Sequence, residues 1–233
     1  MASLSGWRAP LRRQVLAAGL LSACLASPCA QAAGGHHSVD DAVLLEPGAC
    51  DVEGWATRSQ NGARLLHAGA GCRVGAVELS AAGELARQDG ASDTHWQAQL
   101  KWAHPLAGGL SAGFSVTPFW LAHQQPHYQG TMVAALLTWK ASDCFTAHLN
   151  VGRDFLQSAP DQARSGIALE WAANKELSLL GERYVEDRTH FLRAGLRWSV
   201  GDDVTIDASR SQRLSGAGTS NWIVGISRQF AIR

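Results

Sequence analysis

Four groups of reactive side chains stand out in the chain. His148 and Asn150 are two residues apart, which on a strand puts them on one face, and Ser165 follows on the next apolar-polar segment. An imidazole beside a serine hydroxyl could act as general base in a lipid hydrolase. However, a single histidine among polar neighbours more commonly packs or hydrogen-bonds than catalyses, and the expectation is that the protein is not an enzyme. His36, His37, Asp40 and Asp41 carry imidazole and carboxylate, which are good metal ligands. Near a chain start, a flexible, solvated lead-in is the commoner explanation, so no metal is expected. His123 and His127 lie four apart in a loop-like stretch without helical support. No Gly-rich phosphate loop, paired Cys-x-x-Cys or nucleophile elbow is present, so no cofactor is expected.

The fourth group is a pair of cysteines. Asn61-Gly62 is a strong hairpin signal, and Cys50 and Cys72 stand eleven residues either side of Asn61. Equidistant positions face each other across a hairpin, so a Cys50–Cys72 disulfide is expected in an oxidising compartment. Cys144 falls outside this pairing.

The elements that must carry these residues are segments of about ten residues with alternating apolar and polar side chains, separated by Gly, Asp, Asn and Ser. Trp96-Gln97-Ala98-Gln99-Leu100-Lys101-Trp102 is the clearest. This alternation is the signature of a transmembrane β-barrel, whose strands show one face to lipid and the other to a polar lumen. Twelve strands are expected, near 51–58, 64–71, 76–87, 94–103, 110–121, 130–140, 145–155, 164–172, 175–185, 189–200, 204–211 and 221–232. An even count puts both termini on one side, which in bacterial single-chain barrels is the periplasm, with longer loops outside. The expected architecture is an all-β, antiparallel, up-and-down transmembrane barrel in the outer membrane of a Gram-negative bacterium. The expected organisation is a signal peptide at 1–32, a periplasmic lead-in at 33–49 and the barrel at 50–233.

Export is read from Arg8, Arg12 and Arg13 ahead of the apolar stretch Val15 to Leu25, with small residues at Ala30-Gln31-Ala32. Leu21-Ser22-Ala23-Cys24 also has the form of a lipobox, which would make Cys24 a lipidated first residue and leave open a lipid-anchored soluble β protein. The chain is 46% hydrophobic yet has no apolar run long enough for a spanning helix after its start. Losing three arginines and no carboxylate with the signal leaves a mildly acidic mature chain, which argues against nucleic-acid partners.

The nine tryptophans supply an independent test, because barrels collect them at the two membrane interfaces. Trp96, Trp120 and Trp222 fall near outer strand ends, and Trp102, Trp139, Trp171 and Trp198 near inner ends. Trp55 lies mid-strand and fits neither belt. By parity, the lumen is expected to hold Glu78, Glu84, His95, Gln97, Gln99, Lys101, His148, Asn150, Asp154, Glu170, Glu176, Glu182, Arg193, Arg197 and Asp207. Hydrocarbon would not tolerate such charges; water or mutual pairing must accommodate them, with glutamates of the ninth strand beside arginines of the tenth. This mixed lining favours neither ion sign strongly.

His36-His37-Ser38-Val39-Asp40-Asp41-Ala42, with Pro47-Gly48 and Val52-Glu53 after it, resembles the opening of small Gram-negative outer-membrane barrels of the phenol-degradation meta-pathway family. His148-Leu149-Asn150-Val151-Gly152 is similar to that family's His-x-Asn-x-Gly strand. The resemblance implies a passive route across the outer membrane for small compounds, aromatic ones among them. The expected function is therefore passive passage or uptake of a small-molecule solute. The expected partners are outer-membrane lipid and the barrel-insertion machinery. A lipid-modifying enzyme and a structural barrel with a closed lumen are the alternatives.

Overall fold

The computed structural model describes residues 36–232; the expected signal peptide at 1–32, with Cys24 and both processing sites, lies outside the described residues. Twelve strands follow one another: β1 (Ala49–Ser59), β2 (Arg64–Val74), β3 (Val77–Gln88), β4 (Ala91–Pro105), β5 (Leu110–Leu121), β6 (Tyr128–Lys140), β7 (Phe145–Leu156), β8 (Gln162–Ala172), β9 (Leu177–Glu186), β10 (Thr189–Val200), β11 (Val204–Ser215) and β12 (Asn221–Ala231). Each pairs with its sequence neighbours, and β1 pairs with β12, which closes the sheet into a barrel. All pairings are antiparallel, with register shifts at His190/Phe191 and Phe119/Trp120. Closure leaves no open edge, as hydrocarbon demands, since an unpaired backbone group there costs several kcal/mol. Among the described residues no helix is long and apolar enough to cross a membrane; strands do the crossing.

The period-2 pattern decides the faces. Leu66, Leu169, Val224 and Ile226 point outward and are exposed, whereas Lys101, Glu182, Arg197 and Ser211 point inward and are buried. This inverts the soluble-protein arrangement and matches a barrel wetted inside and greased outside. Trp96, Trp102, Trp120, Trp139, Trp171, Trp198 and Trp222 share the outward parity of their strands.

The β1–β2 hairpin turns at Asn61-Gly62, where Gly62 has a φ of 87° that a side chain would strain. Its register sets Cys50 opposite Cys72, and the two are joined in a disulfide with a Cα separation of 4.0 Å. Strand limits differ from the sequence expectation by up to four residues. The largest change is in β11, which continues to Ser215 above the level at which the apolar alternation stops.

Candidate functional site in the barrel lumen

The segment 36–48 before β1 does not extend away as a solvated lead-in: residues 36–45 run inside the barrel as a strap anchored to opposite walls. A chain without regular structure must find partners for its backbone groups, and here lumen side chains supply them. Arg193 on β10 donates to the His36 carbonyl at 2.8 Å. The Val39 amide donates to Glu182 on β9 at 3.0 Å. Asn150 on β7 brackets both backbone polar groups of Asp40, donating to its carbonyl at 2.9 Å and accepting from its amide at 2.6 Å. The Ala42 amide donates to Thr138 on β6, whose hydroxyl also meets His148 Nδ1 at 2.9 Å. The Leu45 amide donates to Glu78 on β3, and its carbonyl accepts from Arg73 on β2.

Strap side chains add ion pairs. Lys101 on β4 is 4% exposed and holds Asp40 at 3.0 Å and Asp41 at 2.8 Å. Removing one member of such a buried pair costs about 3–5 kcal/mol, because the charge left behind is still desolvated. The His36 ring meets Ser209 at 2.8 Å. His37 lies between Glu182 at 3.7 Å and Asp207 at 3.8 Å. Burial works against a charge on His37, and the facing carboxylates of Asp207 and Glu182 outweigh it, so its pKa is raised above 6.5. His36 moves the other way, to about 3, through burial and then the charges of His37 and Arg193.

The strap divides the lumen unequally. On the β8–β11 side the space is filled. Arg193 pairs with Glu182 at 2.8 Å and meets the Tyr184 hydroxyl at 3.1 Å. Arg197 pairs with Asp207 at 2.8 Å, with Glu170 3.8 Å away. Val39, Ala168, Tyr184 and Phe191 pack there as a small apolar cluster.

On the other side a cavity of about 540 Å³ remains, bounded by the strap and by residues of β1–β9 and β12. Glu78, Glu84, His95, Gln97 and Gln99 line it, together with Asp51, Glu53 and Trp55. His67 stands behind the lining residues Trp55 and Glu84. Its ring, fully buried, stacks on Trp55 at 3.3 Å between centroids, with Nδ1 2.9 Å from Glu84 and Nε2 3.6 Å from Glu53. Asp154 is also in the lumen, paired with Arg164 at 3.1 Å.

Fourteen of the fifteen residues expected in the lumen thus lie on inward positions. Glu176 does not: it is exposed in the turn before β9, because that strand begins at Leu177 rather than near Lys175. His148 points inward while Ser165 is exposed on the outer face of β8, so the wall separates the two groups that a hydrolase would need together. The strap's histidines and aspartates likewise turn to different partners, and among the described residues no group of three or more metal-ligating side chains converges.

Sequence reasoning missed His67, Glu53 and the strap. The signal for His67 was available: the equidistance about Asn61 that pairs Cys50 with Cys72 also pairs Trp55 with His67. It accounts for the mid-strand Trp55, which faces inward.

A closed twelve-stranded barrel with an apolar outer band and a polar, partly open lumen is the fold of Gram-negative outer-membrane porins and small-molecule transporters. The chain belongs to the family described as "Uncharacterised conserved protein UCP029691", whose model matches residues 21–230. No curated protein matches it by sequence. Among solved structures it is similar to the KdgM porin, with 8% identity, a TM-score of 0.63, and 77% of this chain and 99% of that one covered. It is similar to the NanC porin at 10% identity and a TM-score of 0.59, covering 77% and 98%. The outer membrane phospholipase A from Escherichia coli has the fold at 8% identity and a TM-score of 0.53, covering 77% and 92%.

Proposed function

We propose that the protein is an outer-membrane channel for small polar solutes of neutral or positive charge, which pass beside the docked strap. The observation that carries this is the charge of the open side. Lys101 is shared between Asp40 and Asp41, and Arg164 between Asp154 and Glu186. Asp51, Glu53, Glu78 and Glu84 face the cavity as well: His67 and His95 lie beside Glu53 and Glu84, and Glu78 stands in register between the shared Lys101 and Arg73, which donates to the Leu45 carbonyl. The arginines that made the sequence look balanced, Arg193 and Arg197, are paired on the filled side. A narrow passage walled by carboxylates attracts cations and repels anions. The KdgM porin has been solved in complex with disordered oligogalacturonate, a polyanion; the wall described here suits the opposite charge.

The two motifs that resemble the phenol-degradation meta-pathway barrels meet in the structure, Asn150 on Asp40 and His148 through Thr138 on Ala42. They support passage of small compounds. Assembly by the barrel-insertion machinery into outer-membrane lipid belongs to the same reading. The fold shared with a phospholipase raises hydrolysis as a second reading, and the opposed faces of His148 and Ser165 weigh against it.

Planar-bilayer recording of the full chain under a salt gradient tests the proposal. Small conductance steps with a cation-selective reversal potential are expected. Absence of steps would mean a closed structural barrel, and an anion-selective reversal would overturn the charge argument.

A further inference from the structure

The outer face near the end away from the termini carries an unusual row. Arg210 on β11 pairs in register with Trp222 on β12, Trp222 with Arg58 on β1, Arg58 with Arg64 on β2, and Arg64 with Arg87 on β3. All five residues have outward parity, and Arg58, Arg64 and Arg87 are exposed. Directly opposed residues in an antiparallel pair are about 5 Å apart at Cα, and like charges there repel. Three guanidinium groups on adjacent strands therefore need a counter-charge.

The described residues do not provide one. Among the described residues no carboxylate pairs with Arg58, Arg64, Arg87 or Arg210; the Arg210 guanidinium instead lies over Trp222 at 5.0 Å. Two outward arginines elsewhere do have a carboxylate, Arg153 on Asp161 at 3.3 Å and Arg228 on Asp203 at 3.0 Å, and Arg183 on β9 donates instead to the Tyr184 and Phe191 carbonyls. The row begins level with Trp222 of the outer aromatic belt. It ends at Arg87, opposite Ser92, four residues beyond Trp96 on β4. That is the depth of lipid headgroups, and by the usual orientation of such barrels it faces the outer leaflet.

We infer that the Arg58–Arg64–Arg87 row, with Arg210 beside it, is a docking surface for the phosphate groups of outer-leaflet lipid. Guanidinium binds phosphate through paired, charge-assisted hydrogen bonds, and one phosphate between two arginines converts their repulsion into attraction. The ligand is phosphate carried on a lipid anchored beside the row, whose acyl chains lie along the apolar band of β1–β3.

Native mass spectrometry of the full chain in detergent, with added bis-phosphorylated lipid A or its dephosphorylated form, tests this. Adducts are expected with the phosphorylated lipid alone. Binding should be about tenfold weaker in the Arg58→Gln/Arg64→Gln/Arg87→Gln variant, the loss of roughly one charge-assisted hydrogen bond, and unchanged in Arg228→Gln. Gel migration of unheated against boiled protein shows whether the triple variant is folded; if it is not, Arg64→Gln alone should weaken the adduct. Equal adducts with both lipids, or undiminished binding by the folded variants, would overturn the inference. So would full displacement by inorganic phosphate at the lipid's own concentration, which would assign the row to a free anion.

Discussion

His37 shows how one strap residue can govern docking. Released into water it would titrate near its ordinary value of 6.5; docked, it faces Glu182 of β9 and Asp207 of β11, with Arg197 of β10 and His36 alongside, and its pKa is raised. The stabilisation it gives to docking is complete below pH 6.5 and is lost as pH rises through the raised, docked value. His36 behaves in the opposite sense, staying neutral when docked down to about pH 3, so it disfavours docking as pH falls below 6.5. The strap is held best near pH 6.5. Unit conductance in planar bilayers should therefore increase as pH is raised above 6.5, and His37→Gln should flatten that rise. A rise of the same size in His37→Gln would remove this residue from the explanation.

At the scale of elements, the strands were legible because their signal is local. Trp96 to Trp102 states its own faces through alternation, and Glu78, Lys101 and Arg193 follow from parity alone. The strap was not legible, since it has no period and its partners are distant: Lys101 is 60 residues from Asp41, and Arg193 is 157 from His36. Glu176 was misplaced for a related reason, because the Asn174 side chain caps the turn and delays β9 by two residues. The hairpin of β1 and β2 carries a further prediction. Its disulfide spans 22 residues, and loop-closure entropy over that length is worth about 3 kcal/mol. Treatment with reductant, or Cys72→Ser, should lower the temperature at which the folded gel band converts to the unfolded one; no change would mean that the strand ladder alone sets the transition.

For the whole molecule, the ring and the strap are separable in principle. Every strand pairs on both sides with another strand, and the strap contributes none of those pairs. Deleting residues 37–45 is thus expected to leave heat-modifiable migration intact and to enlarge the unit conductance; an unchanged conductance would mean that the strap does not limit the path. The ring has one seam that differs from all the others, β1 against β12, where Ala49 meets Ala231 and Ser59 meets Asn221. The first strand to leave the ribosome has to wait for the last, so a prematurely terminated chain presents two raw sheet edges with nothing to mate them. Such fragments should be cleared by envelope proteases, whereas a complete chain shows those enzymes no loose border to grip.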